Sequence, residues 1–188
     1  MNNYLFIEAN IGAGKSTFAK KLIQETYGSL QYNYDLGKNT LILLEPVDEW
    51  VKTIDSTGKN ILEYYYSDSK KYSFAFQMNS FISRYKKLMT YTKKHNDDHE
   101  NKSLSPGPII MERSVYSDYH CFAKNCYENG TMTEIEFNIY KNWFHWLVEF
   151  FSIKSKGYIY IRTDPEECYE RIKKRARDAE GIIPLDYL

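Results

Sequence analysis

The sequence predicts an α/β fold in which a parallel β-sheet is flanked by helices. Three observations carry that prediction. Short apolar runs alternate with longer stretches of helical periodicity along the 188 residues, the order that successive βαβ units produce. The first apolar run passes through a glycine-containing turn straight into a helical pattern. The second and third runs end in charged residues, Glu45 and Glu112-Arg113, where strands of an open sheet meet their loops.

The elements follow in order. Residues 4–8 form the first strand, and residues 15–27 a helix in which Phe18, Leu22 and Ile23 recur at helical spacing. A polar stretch with Gly28 and Gly37 leads to a second strand over residues 40–44, which Pro46 ends because proline cannot donate to a ladder. Residues 60–94 read as helix, broken near Ser67-Asp68-Ser69, and residues 93–108 as a charged loop closing on Pro-Gly-Pro. A third strand covers 109–111. Helices follow over 116–129, stopped by Gly130, and over 133–151, capped by Thr131 or Thr133. A fourth strand covers 158–162. Asp164-Pro165-Glu166-Glu167 then supplies an N-cap, a proline at the first helical position and an acidic first turn.

Composition narrows the class. Lys plus Arg and Asp plus Glu are 25 each, so no net basic field draws the chain to nucleic acid or to acidic lipid. Mean hydropathy is −0.60, and apolar runs such as Leu41-Ile42-Leu43-Leu44 are too short to span a bilayer. The start, Met1-Asn2-Asn3-Tyr4, has neither the basic nor the long apolar region of a secretory signal. Cys121, Cys126 and Cys168 are an odd number without metal-ligand spacing, which reads as free thiols in a reducing, cytoplasmic compartment. A single domain over residues 1–188 is expected.

The chemical signal is Ala9-Asn10-Ile11-Gly12-Ala13-Gly14-Lys15-Ser16-Thr17. It follows a strand and opens a helix, the context a phosphate-binding loop requires. Backbone N–H groups there form an anion nest at a positive helix end. Lys15 reaches the outer phosphates and Ser16 offers a hydroxyl to Mg²⁺. Ala9 stands where the motif has its first glycine, a position whose backbone geometry alanine is expected to tolerate less well.

Three further motifs lie at strand ends or near the C-terminus. Glu45, in Glu45-Pro46-Val47-Asp48-Glu49-Trp50, is placed to accept a proton from a substrate hydroxyl; taken alone it reads sooner as a strand-end carboxylate that caps a loop. Trp50 is a candidate wall for an aromatic base. Glu112-Arg113 pairs a metal-directed carboxylate with a phosphate-directed guanidinium, or forms a strand-end salt bridge. Arg171, Lys173, Lys174, Arg175 and Arg177 put five cations in seven residues: a solvated helix C-terminus, or a lid that meets transferring phosphate.

Together these pieces resemble the deoxynucleoside kinase family, the relatives of deoxycytidine and deoxyguanosine kinases. The resemblance covers nearly the whole chain in order. It is carried by Ile7-Glu8-Ala9-Asn10 through Thr17, Glu45-Pro46-Val47 with Trp50, Phe74-Ala75-Phe76-Gln77, Glu112-Arg113-Ser114-Val115-Tyr116-Ser117-Asp118, and Arg175-Ala176-Arg177-Asp178-Ala179-Glu180 before Ile183-Pro184-Leu185. It implies a P-loop kinase fold with an Arg-rich lid at about residues 171–180. The activity it implies is transfer of the γ-phosphoryl of ATP, or another nucleoside triphosphate, to a deoxynucleoside 5′-hydroxyl with Mg²⁺, in nucleotide salvage for DNA precursor synthesis.

The resemblance also implies roles. Glu45 is the base for the 5′-hydroxyl, Arg113 holds that carboxylate and the incoming phosphate, and Glu112 helps Ser16 place Mg²⁺. Asn10, Ile11, Gly12, Ala13, Gly14, Lys15, Ser16 and Thr17 surround the donor phosphates, with Arg171, Arg175 and Arg177 as the lid. Gln77 pairs with the base edge; Trp50, Phe76 and Phe122 sandwich the base; Tyr66 and Glu180 hold the sugar 3′-hydroxyl. Arg84 and Asp118 match a base-recognising pair of the deoxycytidine and purine branch that thymidine-preferring relatives generally lack, and Ser80 resembles the deoxyguanosine branch. Relatives generally continue past the motif that ends this chain at Leu188, with a strand and helix that help build the adenine pocket. A homodimer through the aromatic-rich helices carrying Trp143, Phe144, Trp146 and Leu147 is expected.

Competing readings are a nucleoside monophosphate kinase of thymidylate type and a nucleotide-binding module without turnover. The first shares the loop and the lid but needs an Asp-Arg motif and extra cations for an acceptor phosphate. The second has no use for a base such as Glu45. A GTPase is disfavoured, because Asn101-Lys102-Ser103-Leu104 lacks the acidic fourth residue that reads guanine.

Overall fold

The computed structural model describes residues 4–27, 40–100, 107–175 and 183–188. Four strands form one sheet in the order β2-β3-β1-β4: β1 (Tyr4–Glu8), β2 (Leu41–Leu43), β3 (Ile109–Glu112) and β4 (Ser155–Tyr160). Every pairing is parallel, with Ile7 opposite Glu112 and Leu43 opposite Met111. All four carboxyl ends therefore open on one edge. One face carries Phe6, Leu41, Leu43, Ile109 and Met111 into a large core with Phe81, Leu88, Tyr140 and Phe144. The other packs Ile7, Ile42 and Ile110 against Ala19 and Ile23.

Helix α1 (Lys15–Tyr27) has the expected bounds. The break at Asp68 separates α3 (Ile61–Ser67) from α4 (Ser69–Glu100) as expected. Helix α7 (Glu134–Phe150) is capped by Thr133, in a capping box with Glu136; Thr131 instead donates its hydroxyl to the Cys126 carbonyl. Gly130 ends the preceding helix at φ +69, the left-handed stop glycine provides. Helix α8 (Pro165–Arg175) starts at its proline.

Several boundaries differ from expectation. β2 stops at Leu43, and the Leu44 carbonyl is taken by the Lys87 ammonium at 2.7 Å. Val47–Lys52, after Pro46, is a helix (α2) rather than loop, with Asp48 and Glu49 in its first turn where acids suit the helix N-terminus. α4 runs to Glu100, past the expected end at residue 94, and His95 within that extension is buried. The stretch 116–129 is three pieces: α5 (Val115–Ser117), a π-helical turn (Asp118–Ala123) and α6 (Lys124–Glu128). β4 lies at 155–160, not 158–162: Gly157 pairs with Leu5 and leaves room for the leucine side chain. The expected lid is described only as far as Arg175, so Arg177 and Glu180 lie outside the described residues.

Candidate active site

The sheet's carboxyl edge opens into a hollow of about 870 Å³ lined from the phosphate loop, the residues just after β2, α2, α3, α4 and the π-helical turn. That is room for a small-molecule ligand of substantial size.

The phosphate loop is built by two glycines and a lysine. Gly12 and Gly14 have φ of +78 and +99. A Cβ on Gly12 would stand 2.5 Å from the carbonyl oxygen of Cys168 on α8, so glycine is what lets that helix lie on the loop. Ala9 is absent from the left-handed residues and is buried. The strain expected for alanine there does not arise. Lys15 reaches back over the loop and donates to the Ala9 and Asn10 carbonyls at 3.2 and 2.7 Å. Burial, with Arg113 second, lowers its pKa to about 8; an anion beside it would offset that desolvation. Asn10 accepts from Ile11 N–H at 2.8 Å, and its amide donates to the Leu188 carbonyl. Ala13 offers its carbonyl to Arg171 at 3.1 Å. Thr17 is exposed in the first turn of α1 and lines the hollow.

Next to the loop, the Ser16 hydroxyl donates to Glu112 Oε1, and Glu112 Oε2 accepts the Glu45 N–H at 3.1 Å. A hydroxyl and a carboxylate are the hard oxygen donors Mg²⁺ takes when phosphates and water complete its shell. Among the described residues no group of three or more His, Cys, Asp or Glu forms a self-sufficient metal cage. Ser16 and Glu112 fit a phosphate-borne Mg²⁺.

Glu45 receives two guanidiniums on the same oxygen. Arg84 Nη2 stands 2.7 Å from Oε1 and Arg113 Nε 3.3 Å. Burial would raise the Glu45 pKa, but Arg84 and then Arg113 more than offset it and bring it down to about 2. Both contacts fall on Oε1. Each nitrogen of Arg84 is engaged: besides Nη2 on Glu45, Nε binds Asp118 at 2.7 Å and Nη1 the Glu112 carbonyl at 3.2 Å. Burial opposes its charge, yet Asp118 and Glu45 raise its pKa. The resemblance casts Arg84 as a reader of the base; the geometry adds a grip on Glu45 that sequence reasoning missed.

Arg113 has φ +62, and its guanidinium lies 4.4 Å from the Phe122 ring centre. Phe122 therefore supports the arginine as well as lining the hollow. Trp50 and Phe76 meet edge to face at 5.6 Å, and Trp50 Nε1 donates to Ser83 Oγ at 2.7 Å. Tyr65, not anticipated, stacks on Phe76 at 4.6 Å, beside Tyr66. Gln77 is buried with its amide donating to Cys126 Sγ at 3.6 Å. Tyr187, also unanticipated, lines the hollow with its hydroxyl 3.5 Å from that of Tyr65. Arg171 and Arg175 both line the hollow, and Arg171 also donates to the Ala13 carbonyl and to Glu167.

Comparison with known proteins reaches the same place. The family description "Deoxynucleoside kinase" matches residues 5–188. Among similar curated proteins, the probable deoxycytidine kinase of Fowlpox virus (strain NVSL) is 36% identical over 97% of this chain and 65% of its own. The deoxycytidine kinase of Rattus norvegicus is 35% identical over 97% of this chain and 69% of its own. The mitochondrial deoxyguanosine kinase of Xenopus laevis is 33% identical over 98% and 68%. The chain thus spans about two thirds of the length of the relatives it matches.

Proposed function

Since the chain belongs to the deoxynucleoside kinase family, we propose that it moves the γ-phosphoryl of ATP, or another nucleoside triphosphate, to the 5′-hydroxyl of a deoxynucleoside in nucleotide salvage. The observation that carries this reading is the position of Glu45: its carboxylate is anchored by Arg84 and Arg113 on the edge that holds Lys15, Ser16 and Glu112. Phosphoryl transfer is largely positioning and charge stabilisation, and those groups supply both.

Glu45 Oε2 takes the proton as the 5′-oxygen bonds to the γ-phosphorus and the bond to the β-phosphate oxygen breaks, releasing ADP. A carboxylate with a pKa near 2 is a weak base; its part is to orient the hydroxyl and receive the proton late, as a loose transition state allows. Arg113 bridges Glu45 and the arriving phosphoryl group. The N–H groups around Gly12, Ala13 and Gly14, with the Lys15 ammonium, neutralise the donor phosphates. Ser16 and Glu112 hold Mg²⁺, which supplies further charge neutralisation when bound. Arg171, Arg175 and Arg177 serve as the lid. Trp50, Phe76 and Phe122 flank the base, Gln77 and the Arg84–Asp118 pair read its edge, and Tyr66 and Glu180 hold the sugar.

The preferred acceptors are deoxycytidine and purine deoxynucleosides. The buried Arg84–Asp118 pair favours polar base substituents over a thymine methyl, and the relatives named above are deoxycytidine and deoxyguanosine kinases. We place the enzyme in the cytoplasm, as one domain and as a homodimer. Its three cysteines are free, and among the described residues no helix is long and apolar enough to cross a membrane.

The test offers Mg-ATP with each of the four deoxynucleosides and their monophosphates. ADP formed only with deoxynucleosides supports the reading; turnover with monophosphates alone replaces it with a monophosphate kinase. Glu45→Ala is expected to lower kcat by about 10²-fold or more while the protein stays folded, and near-normal turnover of that variant removes Glu45 from the chemistry.

A further inference from the structure

We infer that Glu8 is a positioning residue for this reaction: it locks the Arg113 turn so that the guanidinium meets Glu45. The inference rests on the phosphoryl-transfer reading above. Glu8 is the last residue of β1, directly before the phosphate loop, and no role has been assigned to it so far.

Both of its carboxylate oxygens are committed to one short segment. Oε1 accepts the Ser114 N–H at 2.9 Å and Oε2 the Ser117 hydroxyl at 2.6 Å. Ser114 Oγ in turn accepts the Ser117 N–H at 3.1 Å. The residue just before, Arg113, gives its own N–H to the Ile7 carbonyl at 2.9 Å. The last two residues of β1 therefore clamp the chain on both sides of Arg113.

That clamp sits where the backbone needs one. Arg113 has φ +62, a conformation a residue with a side chain keeps only when its surroundings impose it. The left-handed turn sets the direction in which the arginine leaves the backbone, 3.3 Å from Glu45 Oε1 and over the Phe122 ring. A hydrogen bond from Ser114 N–H to a charged oxygen is among the stronger restraints available. Of the three carboxylates at this edge, Glu45 faces Arg84 and Arg113 and Glu112 faces Ser16. Glu8 alone is spent on backbone and hydroxyl groups of the arginine turn.

The test is a double-mutant cycle on kcat with Mg-ATP and deoxycytidine, using Glu8→Ala and Arg113→Ala alone and together, under single-turnover conditions for the slow variants. Glu8→Ala is expected to lower kcat about tenfold or more, as small misplacements of reacting groups do, with KM for ATP nearly unchanged. In the Arg113→Ala background the same substitution is expected to cost nothing further, since residues acting through one another are non-additive. Glu8→Gln is expected to recover most of the rate, because its amide can still accept from Ser114 and donate to Ser117. Equal losses with and without Arg113, or an unchanged kcat for Glu8→Ala, overturn the assignment. Should Glu8→Ala fail to fold by circular dichroism, Ser117→Ala removes one of the two bonds and is expected to give a smaller loss that also vanishes without Arg113; an additive loss overturns the assignment there too. A wild-type chain that phosphorylates none of the four deoxynucleosides overturns the reaction and this role with it. An active wild type with an additive cycle overturns the role of Glu8 alone.

Discussion

Arg84 is fully buried and touches three groups at once, the Asp118 carboxylate, the Glu112 carbonyl and the Glu45 carboxylate. On the proposed roles, selectivity and rate are coupled through one side chain. Replacing Arg84 alone would leave Asp118 buried without its partner, a defect worth about 3–5 kcal/mol in comparable pairs. The informative variant changes both, Arg84→Met with Asp118→Ala. We expect it to move kcat/KM toward thymidine relative to the other three deoxynucleosides, while lowering kcat for all because Glu45 has lost one of its two anchors. Measured kcat/KM ratios that stay as in the wild type would exclude the pair from base selection. Motif spacing singled out Glu45 and Arg113, and the family resemblance added Arg84 and Asp118 as a base-recognising pair. Neither could reveal that Arg84 bridges two of them, since residues 45, 84 and 118 meet only after the sheet and α4 have packed.

Among the elements, the phosphate loop and α8 behave as a unit. Gly12 brings the loop under the Cys168 carbonyl, and Arg171 of α8 donates to Ala13. We expect Gly12→Ala to lower kcat/KM for ATP by about tenfold or more, because the obstructing atom is backbone and the φ of +78 is itself unfavourable for alanine. A value within twofold of wild type would show that α8 can retreat at little cost. The helices α1 and α7 were legible from periodicity and caps. α2, the π-helical turn and the true start of β4 were not. Each depends on a tertiary partner: Gly157 is a strand residue because Leu5 lies beside it, and Pro46 ends one element while opening the next.

At the scale of the whole molecule, a face of α7 is uncovered among the described residues. Ile135, Ile139, Trp143, Trp146 and Phe150 of α7 are all 40% exposed or more, spaced so that they share a face, and Trp143 and Trp146 meet edge to face at 5.7 Å. An apolar patch of this kind marks an association surface, and a second copy is the occupant the homodimer proposal requires. We expect the wild type to run as a dimer in light scattering and Trp143→Glu with Trp146→Glu to run as a folded monomer. A monomeric wild type at micromolar concentration would remove the homodimer.

The chain's local chemistry, read in order, was enough to identify an α/β sheet, a phosphate loop after its first strand, and acidic or basic residues at the ends of the next two. Those are consequences of short-range patterns: periodicity, glycine in a tight turn, a lysine at a helix start. What folding alone decided is the strand order β2-β3-β1-β4, which sets β3 between β2 and β1 and so gathers Glu45, Arg113 and Lys15 on the carboxyl edge of the parallel sheet. It also decided which oxygen of Glu45 is held, and that Glu8 braces the arginine turn. Hydrogen bonds between residues a hundred positions apart leave no periodic trace in the sequence, because only packing of the strands brings their partners within reach.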